Sequence, residues 1–312
     1  MNLNQFEFDF DLTWVGFFVN ANGTIYGRYG GRDASGPDEK ISLKGLRFAL
    51  ETALAKHKNN PNAKPMQLLP MKLAENFPAA KRLNKNTCIH CHQVYEFQRD
   101  RDKSKGTWTR DSVWRFPPPE RVGITLDTDR GNLIKAILPK SPAAKLGIRP
   151  GDTLVSVNKN PVASYLDAQY GLHKAPLAGK IPVSWARNKQ QFQGQLTLPK
   201  GWKRHNITWR PSLFDLLPSM PLFGEDLTAA EKAKYKLRPD QLAFRLGNDM
   251  LNAAKEAGFQ GGDIVVGVDD EALDMSMIDF LGYSRRNYMV GDRLIIRIIR
   301  DGKKRDVPLT LK

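Results

Sequence analysis

Ala143-Ala144-Lys145-Leu146-Gly147-Ile148-Arg149-Pro150-Gly151-Asp152-Thr153-Leu154-Val155-Ser156-Val157-Asn158 decides how the second half of this chain folds, because the pattern returns further on. The second copy reads Ala254-Lys255-Glu256-Ala257-Gly258-Phe259-Gln260-Gly261-Gly262-Asp263-Ile264-Val265-Val266-Gly267-Val268-Asp269. The offset is constant, since 258 − 147 and 262 − 151 both give 111. Each copy predicts a short helix, a turn whose glycines free the backbone, and an apolar strand. Further strands are expected at 181–187 and 193–198 in copy one. Copy two should close with 293–300, the turn Asp301-Gly302-Lys303, and 306–311. Each repeat is then a domain of about a hundred residues with its own core.

The pattern A-x-x-x-G-φ-x-x-G-D-x-φ-φ-x-φ-[ND], entered in copy one through Ser141-Pro142-Ala143-Ala144, resembles the helix, turn and strand of bacterial PDZ domains. That resemblance implies binding of a partner's C-terminus or internal strand. The peptide adds an edge strand, and a loop of backbone N–H groups captures its carboxylate. In copy one the loop would be Arg121-Val122-Gly123-Ile124, with Ala168, Tyr170 and Leu172 on the opposite helical wall. Copy two aligns Leu242-Ala243-Phe244 with that loop, without a glycine and with a shorter hairpin. It is expected to pack against copy one.

The domains expected are 112–202 and 203–312 for the PDZ pair, 59–111 for a connector, and 1–58 for a small α/β unit, a multidomain α+β chain. In the first unit, 13–19 and 24–29 read as strands around the turn Asn20-Ala21-Asn22-Gly23. Ser42 caps a helix to about Lys56 with the stripe Leu43, Leu46, Leu50 and Leu54. Hairpin then helix resembles the second half of a thioredoxin fold. A truncated N-terminus is expected, because the first half and a secretion signal are missing from the start. The run Phe6 to Asp11 reads as an edge strand rather than a metal site at Asp9 and Asp11.

Pro61, Pro65, Pro70 and Pro78 break up the connector, which holds Cys88-Ile89-His90-Cys91-His92 and thereby both cysteines. C-x-x-C-H is the attachment site of a c-type haem, with His92 as axial ligand. Two other readings stay open: a dithiol or disulfide pair, and a metal ion such as zinc or copper at Cys88, Cys91 and His92 or His90. A helix is expected from Cys88 to about Lys103. His57, Met66, Met71, His173 and His205 are possible sixth ligands.

The 312 residues carry a net charge of +15, and residues 56–110 hold twelve Lys/Arg against four acids. An acidic redox partner would dock on this stretch. Nucleic acid is disfavoured, because no helix-turn-helix, zinc-finger or RNA-binding signature accompanies the charge. No apolar run reaches 18 residues, so no transmembrane helix is expected. Ahead of the PDZ pair there is no G-x-S-x-G, and only His57 precedes the cysteine motif, so no catalytic residue is assigned.

The expectation is therefore a periplasmic or secreted PDZ adaptor with one c-type haem, working in electron transfer or redox sensing rather than as an enzyme. The alternatives are a non-haem peptide-binding scaffold and a thioredoxin-like thiol-disulfide oxidoreductase.

Overall fold

Asn20 and Gly23 reverse the chain between β1 (Val15–Val19) and β2 (Ile25–Gly30), which pair antiparallel. The Asn20 side chain accepts the N–H groups of Asn22 and Thr24, and Gly23 takes φ +78°. Ser42 Oγ accepts the Gly45 N–H and starts α1 (Leu43–Asn59). The leucine stripe is not the buried face of this helix. Leu43, Leu50 and Leu54 are exposed, and the small residues Gly45, Ala49 and Ala53 turn inward. The reason is close approach: a Cβ on Gly45 would lie 2.3 Å from the Thr128 carbonyl oxygen.

The structure, a computed structural model, describes residues 1–60, 69–84 and 87–312. Two units are distinguished, Met1–Ser212 and Leu213–Lys312. Pro61, Pro65 and Met66 lie outside the described residues.

In the first unit the acidic-aromatic run is not an edge strand, because its residues 6–11 pair with no strand among the described residues. Phe8 and Phe10 instead pack with Val94, Tyr95 and Phe97 of α2 (Cys91–Ser104). The intervening Asp9 and Asp11 are buried on Arg210, at 2.7 and 3.0 Å. Ser212 donates its N–H and hydroxyl to Asp11, both at 2.9 Å. Alternation here separates an aromatic layer from a satisfied ion cluster, which is the arrangement a buried charge requires.

Copy one follows. β3 (Ile124–Leu126) pairs with β4 (Ile134–Ile137), and α3 (Pro142–Lys145) is capped by Ser141. β5 (Thr153–Val157), β6 (Asn160–Pro161), α4 (Tyr165–His173), β7 (Gly179–Arg187) and β8 (Gln190–Leu198) complete it, with sheet order β6-β5-β7-β8. Leu154, Ala168, Leu172, Ile181 and Leu196 lie in its core.

The second unit holds β9 (Gly224–Asp226), α5 (Ala229–Lys234), β10 (Phe244–Leu246) and α6 (Asn252–Glu256). β11 (Ile264–Val268), α7 (Met277–Asn287), β12 (Arg293–Arg300) and β13 (Lys303–Thr310) follow, with sheet order β13-β12-β11-β10-β9.

The aspartate of each repeat has the same task. Asp152 holds Arg187 at 2.7 Å, and Asp263 holds Arg300 at 2.6 Å. Each arginine also donates to the turn glycine carbonyl, Gly147 or Gly258. Both carboxylates are 1% exposed. The repeat's Gly-Asp thus clamps the end of the strand that pairs with the repeat's own, β7 on β5 and β12 on β11.

Candidate functional site

α2 begins at Cys91, three residues later than expected, with the His90 N–H donating to Gln93 Oε1 at 2.8 Å. Cys88 and Cys91 are exposed free thiols. His92 Nδ1 lies 2.8 Å from Glu96 Oε1, one turn along the helix. The inner face of α2 is filled by the protein's own side chains, Phe8, Phe10 and Phe77. Among the described residues no group of three or more His, Cys, Asp or Glu could hold a metal ion. The remaining expected axial ligands are engaged elsewhere or exposed. His57 meets Tyr26 Oη at 2.9 Å, His173 stacks on Phe116 at 4.2 Å, His205 meets the Lys203 carbonyl, and Met71 is exposed.

In copy one, Arg121 to Ile124 end a 3-10 turn, and Gly123 closes it at φ +87°. The Arg121 N–H donates to Pro118 and the Gly123 N–H to Glu120. Arg121 Nε donates to the Trp202 carbonyl at 2.9 Å, and Val122, Gly123 and Ile124 are buried. Across from them, Ala168 and Leu172 are core residues of the domain. Tyr170 is half-buried under the Arg28 guanidinium, 3.7 Å from its ring, and its hydroxyl donates to Glu7. Tyr165 reaches Glu120 at 3.0 Å, and Lys40 bridges Glu120 and Asp33 at 3.1 Å each. The wall of this groove is therefore covered by the chain itself.

Copy two is organised differently from the expectation, because Leu242-Ala243-Phe244 does not correspond to the loop of copy one. The Leu246 N–H donates to Asp263 and the Gly262 N–H to Leu246. In copy one the Ile134 N–H donates to Asp152 and the Gly151 N–H to Ile134. So β10 corresponds to β4, and the strand corresponding to β3 is β9. Helix α5 is inserted between β9 and β10, which carries the equivalent of Gly123 upstream to Pro221, since Gly224 pairs with Leu246 as Leu126 pairs with Ile134. The constant offset hid this, since 124 + 111 falls at Tyr235, just beyond the inserted helix.

β9 is the end strand of its sheet and, among the described residues, pairs only with β10. Leu227 N–H donates to Ala243, so the intervening amides alternate outward, as antiparallel pairing requires. The Gly224 N–H points to the Met277 sulfur at 3.2 Å, and the Met277 N–H donates to Asp226 Oδ1 at 2.9 Å. α7 thus stands beside a free strand edge. Met277 and Leu281 are half-buried there, and Ile278 is 67% exposed.

Comparison with known proteins supports the PDZ reading of copy one. The family model for the PDZ domain matches residues 133–187, so copy one contains a PDZ domain. The periplasmic serine endoprotease DegP of Escherichia coli K12 is 25% identical over 150 residues, 48% of this chain and 29% of DegP. The periplasmic pH-dependent serine endoprotease DegQ of the same strain is 21% identical over 152 residues, 48% of this chain and 31% of DegQ. A serine endoprotease structure from Yersinia pestis is 34% identical across 25% of this chain and 28% of that one, with a TM-score of 0.22. The chain spans about three tenths of the length of the curated relatives it matches.

These relatives overturn the haem or redox adaptor, together with its scaffold and thiol-oxidoreductase alternatives: they are serine endoproteases and point to a protease-type PDZ protein. The non-enzyme expectation is corrected by the same finding. Haem c and a metal at Cys88, Cys91 and His92 are corrected with it. Nothing in the comparisons supports a thioredoxin-like first unit or an acidic redox partner. The periplasmic or secreted placement holds, because these relatives are periplasmic.

Proposed function

We propose that this chain is a protease-type PDZ protein, similar to the DegP and DegQ endoproteases, in which the PDZ pair captures peptide for proteolysis. Copy two supplies the open groove. The observation that carries this reading is the β9 edge, where the Gly224 N–H is held by nothing stronger than a thioether. Sulfur is a weak acceptor, and an incoming peptide carbonyl is a strong one. The exchange replaces a poor hydrogen bond with a good one while the peptide extends the sheet. Met277 and Leu281 flank that edge with apolar surface, which favours peptides with apolar side chains at alternate positions.

Titration of the isotope-labelled chain with hydrophobic C-terminal peptides tests it. Gly224 and Asp226 amide resonances should move on binding, with copy one's Gly123 left in place. Binding that leaves Gly224 unmoved would overturn the assignment to copy two. Degradation of an unfolded test protein should in turn slow when a saturating groove peptide is added.

A further inference from the structure

The helices that wall the two grooves begin alike and end in different surroundings. Ser164 caps α4 and Ser276 caps α7, and each hydroxyl accepts an N–H three residues on, from Asp167 or Asp279, at 3.1 Å. Asp279 is exposed, whereas Asp167 is 3% exposed because β2 lies over it.

The contact with β2 has the form of an extended strand read by a helix. The Arg28 N–H donates to Asp167 Oδ1 at 3.0 Å, and the Arg28 carbonyl accepts from Ser164 Oγ at 2.5 Å. The Arg28 guanidinium lies 3.7 Å from the Tyr170 ring centre, within cation–π range. Gln169 Nε2 donates to the Arg32 carbonyl at 3.1 Å and to the Phe116 carbonyl at 3.0 Å. Gly31, at φ +107°, passes so close that a Cβ would stand 2.8 Å from the Tyr165 ring and 2.9 Å from the Gln169 side chain. Main-chain groups, one cation and one glycine therefore define the fit. The contact is polar, the character of interfaces that can part.

We propose that Arg28-Tyr29-Gly30-Gly31-Arg32 is an intramolecular ligand of copy one, and that α4 is a second docking wall. It would take extended peptides carrying an arginine followed by glycine three residues later. The arginine sits on Tyr170, the glycine passes Tyr165, and the following carbonyl meets Gln169. Copy two carries Met277 and Leu281 where copy one has Tyr165 and Gln169, so it lacks both the phenol and the amide. This site stands independently of the β9 groove.

The probe is a fluorescent peptide of residues 26–33, Tyr-Gly-Arg-Tyr-Gly-Gly-Arg-Asp, added to the full chain. Arg28→Ala in the chain should weaken the internal ligand and tighten peptide binding by about tenfold or more, since the competent fraction rises. Adding Gln169→Leu should remove that gain. Equal affinity of the unaltered and Arg28→Ala chains overturns the proposal. A second measurement needs no variant: millimolar peptide should speed hydrogen exchange at the Arg28 amide and leave Gly224 unchanged. An Arg28 amide whose exchange does not respond overturns the proposal as well.

Discussion

Gly45 shows how a single residue sets a packing distance. Its missing side chain lets α1 approach Thr128 and the Tyr29 hydroxyl, where a Cβ would lie 2.3 and 2.7 Å from oxygen atoms. Helix propensity favours alanine over glycine by about 1 kcal/mol, but overpacking costs about 1–3 kcal/mol. Gly45→Ala should therefore lower the melting temperature of the first unit, and a rise would show that α1 has room to move. Asp263 acts in the opposite sense, by adding a charge that the interior must satisfy. Its carboxylate bonds Arg300 and the Gln260 N–H. Asp263→Ala leaves that clamp open and should cost about 2–4 kcal/mol, slightly below the range for a fully buried pair because Arg300 is partly exposed. Urea unfolding of the second unit measures it, and a loss under about 1 kcal/mol would deny the clamp its role.

Elements were legible in the sequence where local pattern and tertiary role coincide. The repeat's glycines take positive φ at Gly147, Gly151, Gly258 and Gly262, and the strands that close both domains form near their expected places. Three features were not legible, each for a physical reason. The leucine stripe of α1 has helical spacing, but burial went to the smaller face that permits close approach. The run from Phe6 to Asp11 alternates like a strand, yet Arg210, some two hundred residues away, gives its acids a buried partner. The groove of copy two was displaced by α5, an insertion that no fixed offset can follow. At this scale α5 makes its own prediction. Thr228 and Glu231 form a capping box on it, with Thr228 Oγ1 accepting the Glu231 N–H and Glu231 accepting the Thr228 N–H. Thr228→Ala should cost about 1 kcal/mol by chemical denaturation. It should leave peptide binding at β9 intact, because β9 is held by β10 rather than by the helix.

For the whole molecule, acid should act on the first unit through opposed groups. Burial, with Arg210 nearby, pushes His205 down to about 4. A depressed histidine contributes stability that is present above 6.5 and is lost as pH falls through 4. Burial raises Asp167 to about 6 despite the N–H groups of Ala163 and Arg28. Its contribution has the opposite sign: it is present below 3.8 and lost as pH rises through 6. The two shifts are similar in size, so stability should change little between pH 6 and 4. Burial also works against the Glu7 charge, but His173 and Lys174 prevail and hold its carboxyl at about 2. Glu7 therefore withdraws its contribution as pH falls from 4.5 towards 2. Melting curves should be level from pH 6 to 4 and fall below. His205→Gln should melt higher on acidification across that window, and a variant that follows the unaltered chain would exclude His205 as the group responsible.

The cover on α4 also has a place in time. Arg28 and Asp167 are 139 residues apart, whereas the clamps Asp152–Arg187 and Asp263–Arg300 span 35 and 37. Short closures form early and long ones late, because loop entropy must be overcome before the contact rewards it. Each repeat can thus complete its own clamp while the hairpin is still undocked. As the chain emerges, the cover is made first and placed last, leaving a folding species in which the wall of copy one meets the surrounding proteins before it meets its own N-terminal strand.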